Sequence, residues 1–135
     1  MKTIKVNIVT PDGPVVETDV NMVMALTETG EIGILPGHVA MVAPLKIGAL
    51  RLQKDDSVEH IAVHGGFLEI RPDVVTVLAQ SAERASMIDI DRAKLAAKRA
   101  EEALQAKEES FNDTLAALEL KRAINRINVY ETRAK

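Results

Sequence analysis

The chain has 135 residues, a length that suits one or two small domains. Aromatic residues make up 2% of it, which argues against a base-stacking nucleic-acid surface, and the absence of cysteine excludes disulfides, zinc–thiolate sites and thiol catalysis. The net charge is −3 and no apolar run approaches the roughly 20 residues of a membrane-spanning helix, so the sequence indicates a soluble chain without direct membrane insertion.

Short alternating segments separated by turns occupy the first part of the chain. Ile4, Val6 and Ile8 alternate with other residues, which predicts a strand with one buried face. A turn follows at residues 11–14, where Pro and Gly preset the backbone. The next apolar residues are expected to share one face of a strand; they are Val20, Met22, Met24 and Leu26.

A β-hairpin is predicted in the middle of the chain, where the polar loop at residues 53–57 separates two apolar segments. The glycine pair at residues 65–66 is expected to break the chain as a turn or bulge, because it lacks the Lys and Ser/Thr of a phosphate loop. Short strands are predicted at residues 67–70 and 74–79. Strands of this length and spacing favour a flattened sandwich or barrel.

The character of the sequence changes at Asp89, after which Gly and Pro are absent and Ala is common. Asp89 is a candidate N-cap for a helix running to about Glu108. The apolar stripe predicted for this helix is Ala93, Ala96, Ala97, Ala100 and Leu104. Residues 110–113 are expected to interrupt it, with Asn112 or Asp113 capping a second helix. The apolar face predicted for the second helix is Ala117, Leu120, Ile124 and Ile127.

The predicted fold class is α+β. Residues 1–84 form an all-β flattened sandwich or barrel, and residues 85–135 form an antiparallel two-helix hairpin, because a short connection makes neighbouring helices antiparallel. The alanine stripe lets the helices approach closely but buries little apolar area. The hairpin is therefore expected to need a second surface to lie on.

Four arginines are spaced so that they could converge in this hairpin. Arg92 and Arg99 lie two turns apart on the first helix, and Arg122 and Arg126 lie one turn apart on the second. A chain reversal near residue 110 would place Arg92 opposite Arg126 and Arg99 opposite Arg122. The planar guanidinium group of arginine can donate two parallel hydrogen bonds to the oxygens of a phosphate group. Salt bridges to glutamates on the helix surfaces are the alternative, and spacing alone favours them.

Three blocks of sequence together resemble the epsilon subunit of bacterial F-type ATP synthases. They are residues 10–14 (TPDGP), 30–38 (GEIGILPGH) and 65–69 (GGFLE). The second block is the most specific, and the resemblance covers essentially the whole chain. It implies a flattened ten-stranded β-sandwich followed by a helical hairpin.

The resemblance implies a non-catalytic rotor subunit of the central stalk, at the cytoplasmic face of the bacterial cell membrane. The sandwich would bind the gamma subunit and the ring of c subunits, with Glu31 and His38 in the loop that faces the ring. The hairpin, extended into the alpha/beta catalytic hexamer, would inhibit ATP hydrolysis. The basic residues that would meet the hexamer are Lys121, Arg122 and Arg126. Folded down on the sandwich, the hairpin would permit turnover.

Residues 88–93 (IDIDRA) are similar to the ATP-binding motif of bacillus-type members of this family. The resemblance implies ATP as a regulatory ligand and leaves open whether magnesium accompanies it. On the adenine side the matching residues are Glu83, Ile88, Asp89 and Ala93. On the phosphate side they are Arg92, Arg99, Arg122 and Arg126. Because the hairpin geometry and the motif point to one site, the ATP site is preferred to surface salt bridging.

Two other functions fit parts of the pattern. A stand-alone, non-catalytic ATP-responsive module would have the same sandwich and hairpin but no gamma partner. A small phosphohydrolase would use the arginine cluster, but the sequence offers no nucleophile or positioned base. His60 and His64 stand about 13 Å apart along a strand, too far for one metal ion. The enzyme alternative is the weaker of the two.

Overall fold

The computed structural model describes residues 2–106 and 110–133, which form eight strands, a one-turn 3-10 helix at Ala85–Met87 and two α-helices. The strands are β1 (Ile4–Thr10), β2 (Gly13–Val20), β3 (Met22–Thr27), β4 (Gly30–Ile34), β5 (Met41–Lys54), β6 (Ser57–Ile70), β7 (Val74–Ala79) and β8 (Ala82–Arg84). The helices are α1 (Ile90–Gln105) and α2 (Ser110–Thr132). The predicted β-sandwich followed by two helices is confirmed.

The strands follow the order β2-β1-β7-β6-β5-β3-β4, with β1 and β7 parallel. Strand β6 pairs with β8 through Ile61–Val63 and with β7 through Gly66–Ile70. The sheet therefore folds over on itself along β5 and β6 and encloses the core between its layers. The largest fully buried side chains there include Ile4, Ile8, Ile34, Leu50, Leu52, Ile61 and Leu68.

The glycine pair does not break the strand, contrary to the sequence-based prediction. The pairing register runs unshifted from Ile47–His64 to Leu45–Gly66, so the pair is neither a turn nor a bulge. A Cβ on Gly66 would come within 2.0 Å of the Leu78 carbonyl oxygen. Only glycine permits that approach. Because β5 and β6 are each continuous through the bend, eight strands replace the ten that the resemblance implied.

Met22, Met24 and Leu26 share one face of β3, as predicted, but that face is the less buried one. Val23, Ala25 and Thr27 face the core, while Met22, Met24 and Leu26 lie on the outer face, and Val20 belongs to β2. Apolar residues occupy both faces of β3 because the neighbouring strands make room for them. The Met22 side chain lies over Gly33, and the Leu26 side chain lies over Gly48.

Helix α1 starts as predicted, and its described part runs to Gln105. The Asp89 side chain accepts a hydrogen bond from the backbone N–H of Arg92 (3.1 Å), which confirms the N-cap. The predicted end at Glu108 lies outside the described residues. Helix α2 begins at Ser110, so Asn112 and Asp113 are inside its first turn and do not interrupt or cap the helices.

The hairpin lies on the sandwich, as its small apolar stripe required. Helix α2 packs against α1 on one side and against β5 and β6 on another. The buried residues described on α2 are Ala116, Ala123 and Val129, whereas Ile124 of the predicted apolar face is 44% exposed. Val129 joins a small apolar cluster with Ala62, Ala85 and Ile88. The Asn125 side-chain amide donates a hydrogen bond to the Gly48 carbonyl (2.9 Å).

Candidate functional site

A cleft of about 380 Å³ opens where the sandwich, the 3-10 helix and both α-helices meet, and we name it the junction cleft. Its lining includes Glu83, Met87, Asp89, Arg92, Ala93 and Arg126. Strand β8 supplies Glu83, helix α1 supplies Arg92 and Ala93, and helix α2 supplies Arg126. A ligand in the junction cleft would therefore touch the sandwich and both helices at once.

One pair of charged groups interacts across the junction cleft. The Arg126 guanidinium donates through Nε to the Glu83 carboxylate, and the two side chains are 29% and 34% exposed. Asp89 is engaged as the N-cap of α1, while Arg92 projects from the exposed side of the same turn. Two guanidinium groups and two carboxylates thus surround a space of the size that small-molecule sites occupy.

Five of the eight residues expected at the ATP site line the junction cleft, and three do not. Ile88 is 6% exposed and packs in the small apolar cluster. Arg99 lies on the exposed surface of α1. Arg122 faces a different cleft, described next. The expected convergence of four arginines is therefore limited in this structure to Arg92 and Arg126.

The second cleft, which we name the basic cleft, has a volume of about 550 Å³ and lies between α2 and the bend of β5 and β6. Its polar lining comprises Glu28, Lys46, His64, Gln80, Lys121 and Arg122. Lys121 and Arg122, which the resemblance assigned to a contact with the catalytic hexamer, face the sandwich here. No local pattern in the sequence pointed to His64, because its neighbours in space come from β5, the turn between β7 and β8, and α2.

His64 is a buried polar residue at the base of the basic cleft, 1% exposed. Its Nδ1 lies 2.9 Å from the hydroxyl oxygen of Ser81. Burial, followed by the charges of Arg126 and Arg122, lowers the pKa of His64 to about 4. The imidazole is therefore neutral at physiological pH.

The two residues assigned to a ring-facing loop occupy different places. Glu31 lies in strand β4, not in a loop, and it forms an ion pair with Arg51 on the outer face of the sandwich. His38 follows the turn at Pro36 and Gly37, and its Nδ1 lies 2.7 Å from the Val39 carbonyl oxygen. The segment between them is thus part strand and part turn.

Two features are absent from the described part of the chain. Among the residues that the structure describes, no group of three His, Asp or Glu side chains is arranged to hold a metal ion. Neither described helix combines the length and the hydropathy that crossing a membrane requires.

Nearly the whole chain is similar to known proteins of one kind. Residues 3–85 match the family model of the β-sandwich domain of the ATP synthase delta/epsilon chain, and residues 86–131 match that of its long α-helix domain. The ATP synthase epsilon chain of Bacillus pumilus is 60% identical over 129 residues, 96% of this chain and 98% of the relative. That of Bacillus subtilis is 56% identical over the same shares of the two chains.

Solved structures share the fold at low sequence identity. A chain of the Euglena gracilis mitochondrial ATP synthase (OSCP/F1/c-ring) superposes with a TM-score of 0.74 at 23% identity, over 90% of this chain and 79% of that one. A chain of the Tetrahymena thermophila central stalk and c-ring gives 0.65 at 12% identity, over 96% and 97%.

Proposed function

This chain belongs to the epsilon chains of ATP synthase, and we propose that it serves there as a rotor subunit that senses ATP through its helical hairpin. As an epsilon subunit it is part of the central stalk and is not itself catalytic. The finer assignments proposed here are its docking surfaces, its ATP site, its control of hydrolysis and its place at the cytoplasmic face of the bacterial membrane.

The outer face of β1, β6 and β7 is the proposed docking surface for the gamma subunit. Phe67 and Leu78 are 56% and 54% exposed there, and with Val9 they border an apolar groove of about 360 Å³. Large apolar side chains that stand together on a surface are typical of protein–protein contacts.

The proposed contact with the ring of c subunits lies around His38. The side chains next to it in sequence are apolar and exposed: Leu35 at 57%, Val39 at 72% and Val42 at 64%. The Gly37 backbone N–H donates to the Pro72 carbonyl (2.8 Å), which fixes the turn to the neighbouring loop. A fixed turn with an apolar rim suits a permanent contact better than a mobile loop would.

The observation that carries the ATP proposal is the junction cleft itself. Arg92 from α1 and Arg126 from α2 line the same space, and Glu83 brings the sandwich into it. Guanidinium groups pair with phosphate oxygens through charge-assisted hydrogen bonds. ATP held between them would bind only the arrangement in which the hairpin lies on the sandwich, so it would favour that arrangement.

Release of the hairpin is the proposed inhibitory step. In the docked arrangement Arg126 is paired with Glu83 and the Nε of Arg122 is buried, so both side chains are partly withheld from another surface. An extended hairpin would present Lys121, Arg122 and Arg126 to acidic surface of the catalytic hexamer, which would slow hydrolysis.

Binding to the gamma subunit distinguishes the proposed rotor subunit from a stand-alone ATP-responsive module. The variant Phe67→Ser/Leu78→Ser should lose co-purification with gamma, whereas Val58→Ser, an apolar residue 40% exposed near the β5–β6 turn, should retain it. A chain truncated after Arg84 should still assemble, because the main core cluster lies within Ile4 to Ala79. Wild-type chain that binds ATP but no gamma would instead favour the ATP-responsive module.

A further inference from the structure

The basic cleft carries more positive charge than its surroundings neutralise. Lys46, Lys121 and Arg122 line it together with one carboxylate, that of Glu28. None of the three cations forms an ion pair with another residue in the described ranges 2–106 and 110–133. Three cations gathered around a space without partners repel one another, and a bound anion would remove that cost.

Two buried nitrogens at this cleft also lack hydrogen-bond partners within the described part of the chain. They are Nε2 of His64 and Nε of Arg122. Leaving a buried polar group without a hydrogen-bond partner destabilises the folded chain. If the Ser81 hydroxyl donates to Nδ1 of His64, Nε2 carries the proton and is a donor. Both unpaired nitrogens are then N–H donors, and the oxygen atoms of a bound oxyanion would accept hydrogen bonds from them.

We propose that the basic cleft binds a phosphate-type oxyanion between helix α2 and the bend of β5 and β6. Lys46 would contact it from the sandwich, Lys121 and Arg122 from α2, and the neutral His64 from the cleft base through Nε2–H. The anion would thereby tie the hairpin to the sandwich at a place separate from the junction cleft. The proposal concerns the isolated chain and does not depend on assembly with other subunits.

The phosphate could come from two sources. Free inorganic phosphate would occupy the basic cleft alone. The other source is the phosphate tail of a nucleotide whose base lies in the junction cleft. Arg126 lines the junction cleft and Arg122 lines the basic cleft, and the two residues are one turn apart on α2, so one nucleotide would be able to reach both.

The ionisation of His64 gives a direct readout of occupancy. The charged groups around it are Arg122, Arg126 and Lys121 on α2, Lys46 on β5, Glu28 after β3 and Glu83 on β8. Burial and the two arginines lower the pKa of His64 in the ligand-free protein. A bound dianion offsets those arginines, so phosphate should raise this pKa.

The experiment is a titration of the full-length chain with inorganic phosphate, followed by NMR of the His64 imidazole. We expect a saturable shift of its signals and a higher pKa, neither of which sodium chloride at matched ionic strength reproduces. Lys46→Gln should weaken phosphate binding roughly tenfold or more, whereas Lys98→Gln, the same charge change on the exposed side of α1, should not.

ATP distinguishes the two sources. If phosphate alone shifts His64, and does so equally in Arg92→Ala, the ligand is free phosphate. If only ATP shifts His64, and Arg92→Ala abolishes the shift, the basic cleft holds the nucleotide's tail. If neither ligand moves the His64 signals, or if sodium chloride moves them equally, the proposal is wrong. An ATP response elsewhere in the spectrum would leave the junction cleft intact in that case.

Discussion

Glu83 on strand β8 and Arg126 on helix α2 form an ion pair that joins the sandwich to the helical hairpin. The two residues are distant in sequence, and both side chains are about two-thirds buried. The pair therefore reports whether the hairpin is docked. It also occupies one wall of the junction cleft, where the proposed ATP phosphates would compete with Glu83 for Arg126.

The first prediction follows from this pair. Glu83→Gln should weaken docking of the hairpin by about 1 kcal/mol, because the pair is only partly shielded from water. Hydrogen exchange of the α2 backbone amides should be faster by a factor of about five. The matched control is Glu69→Gln, which removes an exposed ion pair with Arg71 that does not reach the hairpin. Equal exchange in the two variants would contradict the role given to Glu83.

The second prediction concerns acid stability. His64 has a pKa of about 4 in the folded chain and an ordinary value near 6.5 once unfolded, so its contribution to stability is present above about pH 6.5 and is lost as pH falls toward 4. The loss should be on the order of 3 kcal/mol by pH 4, at about 1.4 kcal/mol per unit of pKa.

Urea denaturation of the wild type and of His64→Gln across this pH range measures that contribution as a difference. Other groups titrate in both proteins, so only the difference in slope belongs to His64. Arg122→Gln should raise the pKa of His64 in the folded chain, because one of the two charges that lower it is gone. The pH range over which stability is lost should therefore end at a higher pH than in the wild type. Parallel slopes in the wild type and His64→Gln would show that His64 is not held neutral by folding.

The third prediction concerns ATP binding to the isolated chain. Arg92→Ala should weaken it roughly ten- to a hundred-fold, the range expected for one charge-assisted hydrogen bond. Asp89→Asn tests the neighbouring carboxylate without removing the N-cap, since Asn caps a helix as well as Asp. Calorimetry gives the affinities, with Lys98→Gln as the charge-matched control. Unchanged affinity in Asp89→Asn/Arg92→Ala would place the nucleotide elsewhere.

The sequence predicted the fold best where a local pattern had only one physical solution. The alternation of Ile4, Val6 and Ile8 required a buried face, and all three are fully buried. Asp89 before a run without Gly or Pro required a helix start, and it caps α1. The prediction of a turn or bulge at residues 65–66 was wrong because Gly66 lies close to the backbone of β7. Strand β7 is distant in sequence, and local sequence does not identify it as the neighbour.

The candidate site was predictable only in part for a similar reason. Helical spacing placed Arg122 and Arg126 on nearly the same side of α2, but it did not say what the sandwich presents to each. Arg126 meets Glu83 of β8, whereas Arg122 meets the bend that carries His64. The division into two clefts therefore depends on how the hairpin sits on the sandwich, which is a tertiary property.

The last prediction joins ATP to the position of the hairpin in the assembled ATP synthase. Because the chain has no cysteine, Lys54→Cys and Glu131→Cys would carry two fluorescent labels without background labelling of this chain. The docked hairpin is held by a small apolar cluster, one ion pair and one hydrogen bond among the described contacts, so docked and extended forms should differ by only a few kcal/mol.

A ligand that binds one form alone stabilises it by about 2.7 kcal/mol at a hundredfold excess over its Kd, enough to move such an equilibrium. High ATP should therefore keep the labels close and the motor active in hydrolysis, and low ATP should separate them and slow it. In labelled chain carrying Arg92→Ala, the distance should respond only at roughly ten- to a hundred-fold higher ATP. If the distance stays constant while hydrolysis still changes with ATP, inhibition does not arise from release of this hairpin.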